Sequence, residues 1–195
     1  MAGLYLSLPP YLTVGPRLVF PALIGVMLVP LVLTHGSPGI NHIVGLTMTA
    51  VMTVALVVSL WLLIAALPSH KESGWELIRS AASLWATNVL VFALWYWRLD
   101  AGGPYERDLR EQHTRGAFLF PQMQMQLARP DDDDTRRRWA PQFIDYLFLA
   151  FNTSTAFSPT DTPILTRWGK ILMMVQSMIS LSVLALLAAR AVNIL

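Results

Sequence analysis

Long runs of apolar residues divide this chain into segments of the length that crosses a lipid bilayer. The four longest runs occupy residues 18–33, 43–67, 75–97 and 168–193. A helix crosses the hydrocarbon core with about 20 apolar residues, so each run is predicted to span the membrane. The first run is short and contains Pro21 and Pro30, which predicts a kink or an extension by one turn. The pattern therefore predicts an all-α integral membrane protein with four transmembrane helices.

A fifth apolar stretch, at residues 143–152, is too short to cross. As a helix it would measure about 15 Å, against a hydrocarbon core of about 30 Å. It follows a polar insert at residues 98–142 and leads into "FNTSTAFSPTDT", a stretch with six hydroxyl side chains. We expect a re-entrant half-helix followed by irregular backbone, which is tolerated at membrane depth only beside protein or a water-filled cavity. A helix lying in the membrane interface is the alternative.

These features divide the chain into three parts. An N-terminal membrane region with three helices covers residues 1–97, the polar insert covers 98–142, and the half-helix, loop and last helix cover 143–195. The composition agrees with a membrane protein, because 54% of the residues are hydrophobic, 13% are charged and the mean hydropathy is +0.50.

Other function classes find little support in the sequence. The chain has no cysteine, so thiol chemistry and disulfides are excluded. A formal net charge of +2 gives no reason to expect a nucleic-acid partner. The four histidines are predicted to lie in different loops and lack metal-ligand spacing, and neither a GxSxG nor a P-loop pattern occurs. We therefore predict no enzyme activity, no metal site and no cofactor apart from potassium or sodium ions in transit.

The last third of the chain resembles a known family of channels. The order helix, insert, half-helix, hydroxyl-rich segment, helix is that of a pore-loop cation channel. The string "TSTAFSPTDTPILTRWGK" with the apolar helix after it is similar to the filter and inner helix of bacterial potassium channels, whose filters read TTVGYGD. In that alignment Ser154 and Thr155 fall on the threonine and valine, and Ala156, Phe157 and Ser158 fall on GYG. The string is also similar to bacterial integral membrane proteins with no assigned activity.

The resemblance implies a pore at the centre of an oligomer, with a tetramer favoured. This sequence departs from the family because Ala156 and Ser158 replace the two filter glycines, and Asp161 comes three residues after Ser158. A Cβ in the conformations that glycine adopts there costs about 1 kcal/mol each. We therefore expect a pore lined partly by hydroxyls, with weak selectivity among monovalent cations. The predicted ion pathway consists of Thr153, Ser154, Thr155, Ala156, Phe157, Ser158 and Asp161. A purely structural re-entrant turn is the alternative for this segment.

Two further features bear on the predicted pore. Gln176 and Ser180 are four residues apart and share one face of the last helix, so we predict that they line its cavity; hydrogen bonding between helices is the alternative. Asp161 would either attract cations to the pore mouth or pair with Arg167 or Lys170.

Two arguments from the sequence give opposite orientations in the membrane. A pore loop entering from outside places both termini in the cytoplasm, whereas the eight arginines of the insert favour a cytoplasmic insert. We predict a multi-pass cell-membrane protein with cytoplasmic termini that forms a homo-oligomer and conducts monovalent cations. The alternative is a non-conducting structural or accessory membrane protein, or a small-solute transporter, in which residues 143–162 form a packed plug.

Overall fold

The structure is a computed structural model. It describes residues 3–4, 8–9, 12–13, 22, 25–26, 38–66, 74–109, 116–127, 139–156 and 161–192. The helices within these ranges are α1 (Pro38–Ala66), α2 (Gly74–Leu99), α3 (Pro104–Asp108), α4 (Pro121–Leu127), α5 (Phe143–Ala156) and α6 (Arg167–Val192). A short 3-10 turn, Asp100–Gly102, joins α2 to the glycine before α3. No strand occurs in the described ranges, which contain a single isolated β-bridge.

Three helices, α1, α2 and α6, are long and apolar enough to cross a membrane. Their positions confirm the all-helical prediction for the second, third and fourth apolar runs. The first predicted crossing, at residues 18–33, lies almost entirely outside the described residues, so a fourth crossing stays a prediction.

Local sequence explains where α1 and α2 begin. Proline is favourable in a first turn, and α1 starts at Pro38, while Glu76 places a carboxylate at the positive end of α2.

Helix α2 lies at the centre of the described structure and packs against α1, α5 and α6. Aromatic pairs fix the direction of α5 along α2. Phe143, the first residue of α5, meets Trp97 near the end of α2, and Phe151 meets Trp85, three turns earlier in α2. The two helices are therefore antiparallel.

Helix α5 is longer than the sequence predicts. It contains 14 residues and continues through Ala156, so the expectation of irregular backbone at residues 153–156 is wrong. The hydroxyls that suggested a loop are satisfied within the helix, because Thr153 donates to the Leu149 carbonyl at 2.8 Å and Thr155 to the Phe151 carbonyl at 3.0 Å. At about 21 Å, α5 is still shorter than the roughly 30 Å hydrocarbon core.

The chain that follows α5 returns to the polar insert. Ile164 forms an antiparallel bridge with Phe118. Two backbone hydrogen bonds flank the bridge, from Leu119 N to Pro163 O at 3.0 Å and from Leu165 N to Ala117 O at 2.8 Å. These contacts hold the segment before α6 against the described end of the insert.

The ring of Phe118 anchors this pair of segments to the helices. It is buried and makes edge contacts with Tyr96 of α2, Tyr146 of α5 and Trp168 of α6, with ring centroids 5.1, 6.1 and 6.0 Å away. The end of α2 and the beginnings of α5 and α6 therefore meet at one aromatic cluster. The run of four aspartates and three arginines at residues 131–138 lies outside the described residues.

Candidate functional site

A glutamine at the centre of the structure joins three helices. Gln176 of α6 is 0% exposed, and its Nε2 donates to the Ala150 carbonyl at 2.7 Å and to Ser154 Oγ at 2.8 Å, both in α5. Its Oε1 accepts a hydrogen bond from the hydroxyl of Tyr96 in α2. Because both ends of the amide are used, Gln176 fixes the position of α5 against α2 and α6.

An asparagine of α2 extends this network. Asn88 Nδ2 donates to Ser180 Oγ at 2.8 Å and to the Gln176 carbonyl at 3.2 Å. Gln176 and Ser180 do share a face of α6, as their spacing predicts. That face packs against the same chain and both residues are fully buried, which favours hydrogen bonding between helices, the alternative for this pair; the cavity-lining role stays a prediction. Asn88 Oδ1 is buried and has no hydrogen-bond partner in the part of the chain that the structure describes.

The predicted ion-pathway residues fall in three different environments. Thr153 and Ser154 are buried between α5 and α6, where the Thr153 carbonyl accepts a hydrogen bond from Ser177 Oγ at 3.5 Å. Thr155 and Ala156 are exposed in the last turn of α5. Phe157 and Ser158 lie outside the described residues, and Asp161 is exposed in a turn. The hydroxyls of Thr153 and Ser154 are thus engaged inside one chain, while the role of the set in ion conduction stays a prediction.

Asp161 is not tied to the basic residues that follow it. Within the described residues, neither an ion pair nor a hydrogen bond joins its carboxylate to Arg167 or Lys170. All three side chains are exposed. The structural alternative for Asp161, a salt bridge to Arg167 or Lys170 at the start of α6, is therefore absent from this part of the structure.

A second polar cluster, which the sequence analysis missed, holds the beginning of α5. Asp100 is fully buried, and its Oδ2 accepts a hydrogen bond from the Tyr146 hydroxyl at 2.6 Å. Its Oδ1 accepts from the backbone N–H of Ala117 at 2.5 Å. One carboxylate therefore ties the end of α2 to α5 and to the returning insert. Burial, followed by the charge of Asp100, raises the pKa of Tyr146, which keeps the phenol protonated as a donor.

A buried arginine completes this cluster. Arg107 Nη1 donates to the carbonyls of Trp97 at 2.7 Å and Asp100 at 3.1 Å, and its guanidinium lies 5.1 Å from the centre of the Tyr146 ring. The guanidinium therefore caps the carboxyl end of α2, where cations are favourable. The sequence does mark this place, since an acid directly follows an apolar helix and precedes Gly-Gly-Pro.

The turn that positions Asp100 has an unusual backbone. Ala101, Gly102 and Gly103 have φ angles of +51°, +85° and +96°. A side chain in the left-handed region costs about 1 kcal/mol or more, so Ala101 is strained while the two glycines are not. This turn reverses the chain immediately after α2 and allows Arg107 to reach back to the helix end.

The described residues contain no group of three histidine, aspartate or glutamate side chains placed to hold a metal ion. The candidate site is thus the exposed last turn of α5. Gln176 holds this helix at Ala150 and Ser154, and Asp100 holds it at Tyr146, near its beginning.

Comparison with protein-family models, with curated proteins and with solved structures gives no match.

Proposed function

We propose that several copies of this chain form a pore-loop channel for monovalent cations. The observation that carries the proposal is the path of α5. It begins beside Trp97, near one end of α2, and Phe151 reaches Trp85, close to the middle of α2. After α5, Ile164 pairs with Phe118, whose ring contacts Tyr96 near the end of α2 beside which α5 began. A short helix that enters and returns at the same end supports a re-entrant arrangement in the membrane.

The last turn of α5 has the chemistry that a cation pathway needs. The carboxyl end of a helix carries about half a negative elementary charge, and backbone carbonyls and hydroxyls can replace the water around a cation. Thr155 and Ala156 are exposed in this turn, and Asp161 is exposed five residues after Ala156. One chain supplies one such helix end, so symmetry-related copies are required to surround an ion.

The buried contacts restrict which residues could face the ion. Thr153 and Ser154 serve the packing of α5 against α6, which leaves residues 155–158 and Asp161 as the pathway in our proposal. Because alanine and serine stand where the related filters have glycine, we propose a pathway with weak discrimination between potassium and sodium.

A second candidate is the non-conducting membrane protein in which α5 is a plug. The observation that favours it is the closure of the Gln176 network within one chain, where Ser154 and Tyr96 find partners without a second copy. In this case the protein would be a structural or accessory subunit, or a small-solute transporter.

Ion flux into liposomes that contain the purified protein tests the conducting function. We expect potassium and sodium to enter at similar rates, and chloride to be excluded. Thr155→Val removes one pathway hydroxyl with little change of shape, and we expect it to alter the ratio of potassium to sodium flux. Thr47→Val is the matched control, because Thr47 is also exposed and also donates to the carbonyl four residues earlier, at 2.9 Å. Absence of flux from the wild-type protein would reject the channel.

Lipid accessibility separates the channel from the plug. Phe148 on α5 and Val54 on α1 are 64% and 63% exposed in the single chain. Since the chain has no cysteine, a spin label can be attached to Phe148→Cys or Val54→Cys alone. In an oligomeric pore we expect a neighbouring copy to cover Phe148, so that oxygen dissolved in lipid relaxes this label much less than the label at Val54. Equal accessibility of both labels would favour the plug.

A further inference from the structure

The end of α2 carries a cation that is inserted against α1. Arg98 is in the last turn of α2, and its guanidinium lies directly on Gly45 of α1. A Cβ atom at Gly45 would be 1.7 Å from Nη1 and 2.1 Å from Cζ of Arg98. Atoms cannot approach so closely, so the absence of a side chain at Gly45 is what admits the guanidinium between the two helices.

This guanidinium has no anionic partner among the described residues. Its Nε is buried without a hydrogen-bond partner among these residues. The guanidinium lies over the ring of Trp97, with Cζ 5.6 Å from the ring centre. The nearest acid in sequence, Asp100, has both carboxylate oxygens directed to Tyr146 and Ala117. Uncompensated charge at a membrane helix end is unfavourable unless water or an anion meets it.

A second basic side chain, His42, lies on the face of α1 that contains Gly45. His42 precedes Gly45 by three residues, which places both on one side of the helix. The His42 ring contacts Gly103, because a Cβ at Gly103 would lie 3.1 Å from Nδ1 and 3.0 Å from the Arg98 carbonyl. His42 and the end of α2 thus meet at the same glycine. The first turn of α1, one turn further out, contains no acid and presents the positive end of the helix dipole.

We propose that Arg98 and His42 form a binding site for a phosphate group between α1 and α2. Arginine is suited to phosphate because its planar group can donate two parallel hydrogen bonds, and basic pockets between membrane helices bind anionic headgroups. The phosphate could belong to a phospholipid such as phosphatidylglycerol or be free inorganic phosphate. Trp95 and Trp97 are close to Arg98 in sequence. Tryptophan is enriched at membrane surfaces, where the phosphate groups of lipids lie. The proposal does not depend on ion conduction.

The test measures binding to the full-length protein, delipidated in a neutral detergent, with dissociation constants determined for phosphatidylglycerol, phosphatidylcholine and inorganic phosphate. Arg98→Gln removes the charge. Gly45→Ala keeps every charge but expels the guanidinium from its place. Arg167→Gln is the matched control, since Arg167 is an exposed arginine at the start of α6. We expect the first two variants to weaken phosphatidylglycerol binding about tenfold, and the control to change it less than about twofold.

The two phosphate sources give different results. Displacement of phosphatidylglycerol by inorganic phosphate in the wild type, but not in Arg98→Gln, assigns the site to free phosphate, whereas tight binding of the lipid alone assigns it to the headgroup. Equal weakening by Arg98→Gln and Arg167→Gln would indicate general charge attraction and overturn the proposal. Unchanged affinity in Gly45→Ala would also overturn it. Circular dichroism checks folding, and Gly45→Ala decides the outcome if Arg98→Gln fails to fold.

Discussion

Replacing Gln176 by leucine is the sharpest test of the network that holds α5. The substitution keeps a similar side-chain volume inside α6 but removes three hydrogen bonds, two to α5 and one from α2. Tyr96 loses the acceptor of its hydroxyl. Ser154 can turn its hydroxyl to the carbonyl four residues earlier, so part of its loss is recovered.

The expected magnitude follows from these bonds. Hydrogen bonds between helices in membrane proteins contribute about 0.6 kcal/mol on average and about 1.7 at most, so three of them contribute about 2 kcal/mol. A buried phenol left without a partner adds a penalty of about 1–3 kcal/mol in general. We therefore expect Gln176→Leu to lower the free energy of unfolding by about 3–5 kcal/mol. Tyr96→Phe alone removes one hydrogen bond and leaves Gln176 Oε1 without its donor. It should lower the free energy of unfolding by about 1 kcal/mol.

The double variant distinguishes this explanation from a general packing defect. Once Gln176 is leucine, the hydroxyl of Tyr96 is buried without a described partner, so adding Tyr96→Phe should recover about 1–3 kcal/mol instead of costing about 1 kcal/mol. The expected coupling is therefore about 2–4 kcal/mol. Reversible unfolding in detergent mixtures, followed by tryptophan fluorescence, measures all three variants. Gln122→Leu, at an exposed position of α4, is the control and should stay within about 0.5 kcal/mol of wild type. Strict additivity of the two changes, or a stable Gln176→Leu, would refute the reasoning.

Three further substitutions test the other parts of the site. Asp100→Asn replaces an acceptor oxygen by a donor and should lower stability by about 1–3 kcal/mol in the same unfolding assay; an unchanged midpoint would show that the carboxylate does not hold α5. Gly103→Ala should destabilise by about 1–2 kcal/mol, because φ is +96° and the new Cβ would lie 3.0 Å from the Arg98 carbonyl, whereas Gly39→Ala meets no atom within 4 Å and should not destabilise. Asp161→Asn should reduce cation flux more at 0.01 M salt, where the Debye length is about 30 Å, than at 1 M, where it is about 3 Å. An equal effect at both concentrations would contradict attraction of cations by this carboxylate.

The membrane helices could be predicted from the sequence because a single physical requirement determines them. A bilayer demands about 20 apolar residues in a helix, and α1, α2 and α6 meet that demand without help from distant residues. The end of α5 could not be predicted in the same way. Serine and threonine are weak helix formers that favour turns, and the helix continues through them because Gln176, more than 20 residues later, holds Ser154.

The polar contacts of the site escaped prediction because they join distant positions. Asp100 and Arg107 fall in the polar insert at residues 98–142, where the sequence predicts no site. Their burial depends on Tyr146 and Ala117, which are 46 and 17 residues from Asp100 in the chain. The spacing of Gln176 and Ser180 correctly indicated a shared face of α6. The identity of the surface that this face meets depends on α2 and α5, and a pattern within one helix carries no information about them.

The two polar clusters act on the same side of α5, and this determines what the other side can do. Tyr146, Ala150 and Ser154 are spaced by four residues and form one face, bound to Asp100 at one end and to Gln176 further along. Two attachments on one face fix the rotation of the helix about its axis as well as its depth. The opposite face, with Phe148 and Thr155 exposed, is therefore presented in a defined direction although none of the described residues covers it. Substitutions on the bound face should act through stability, and those on the exposed face, including Thr155, should act through assembly or ion passage.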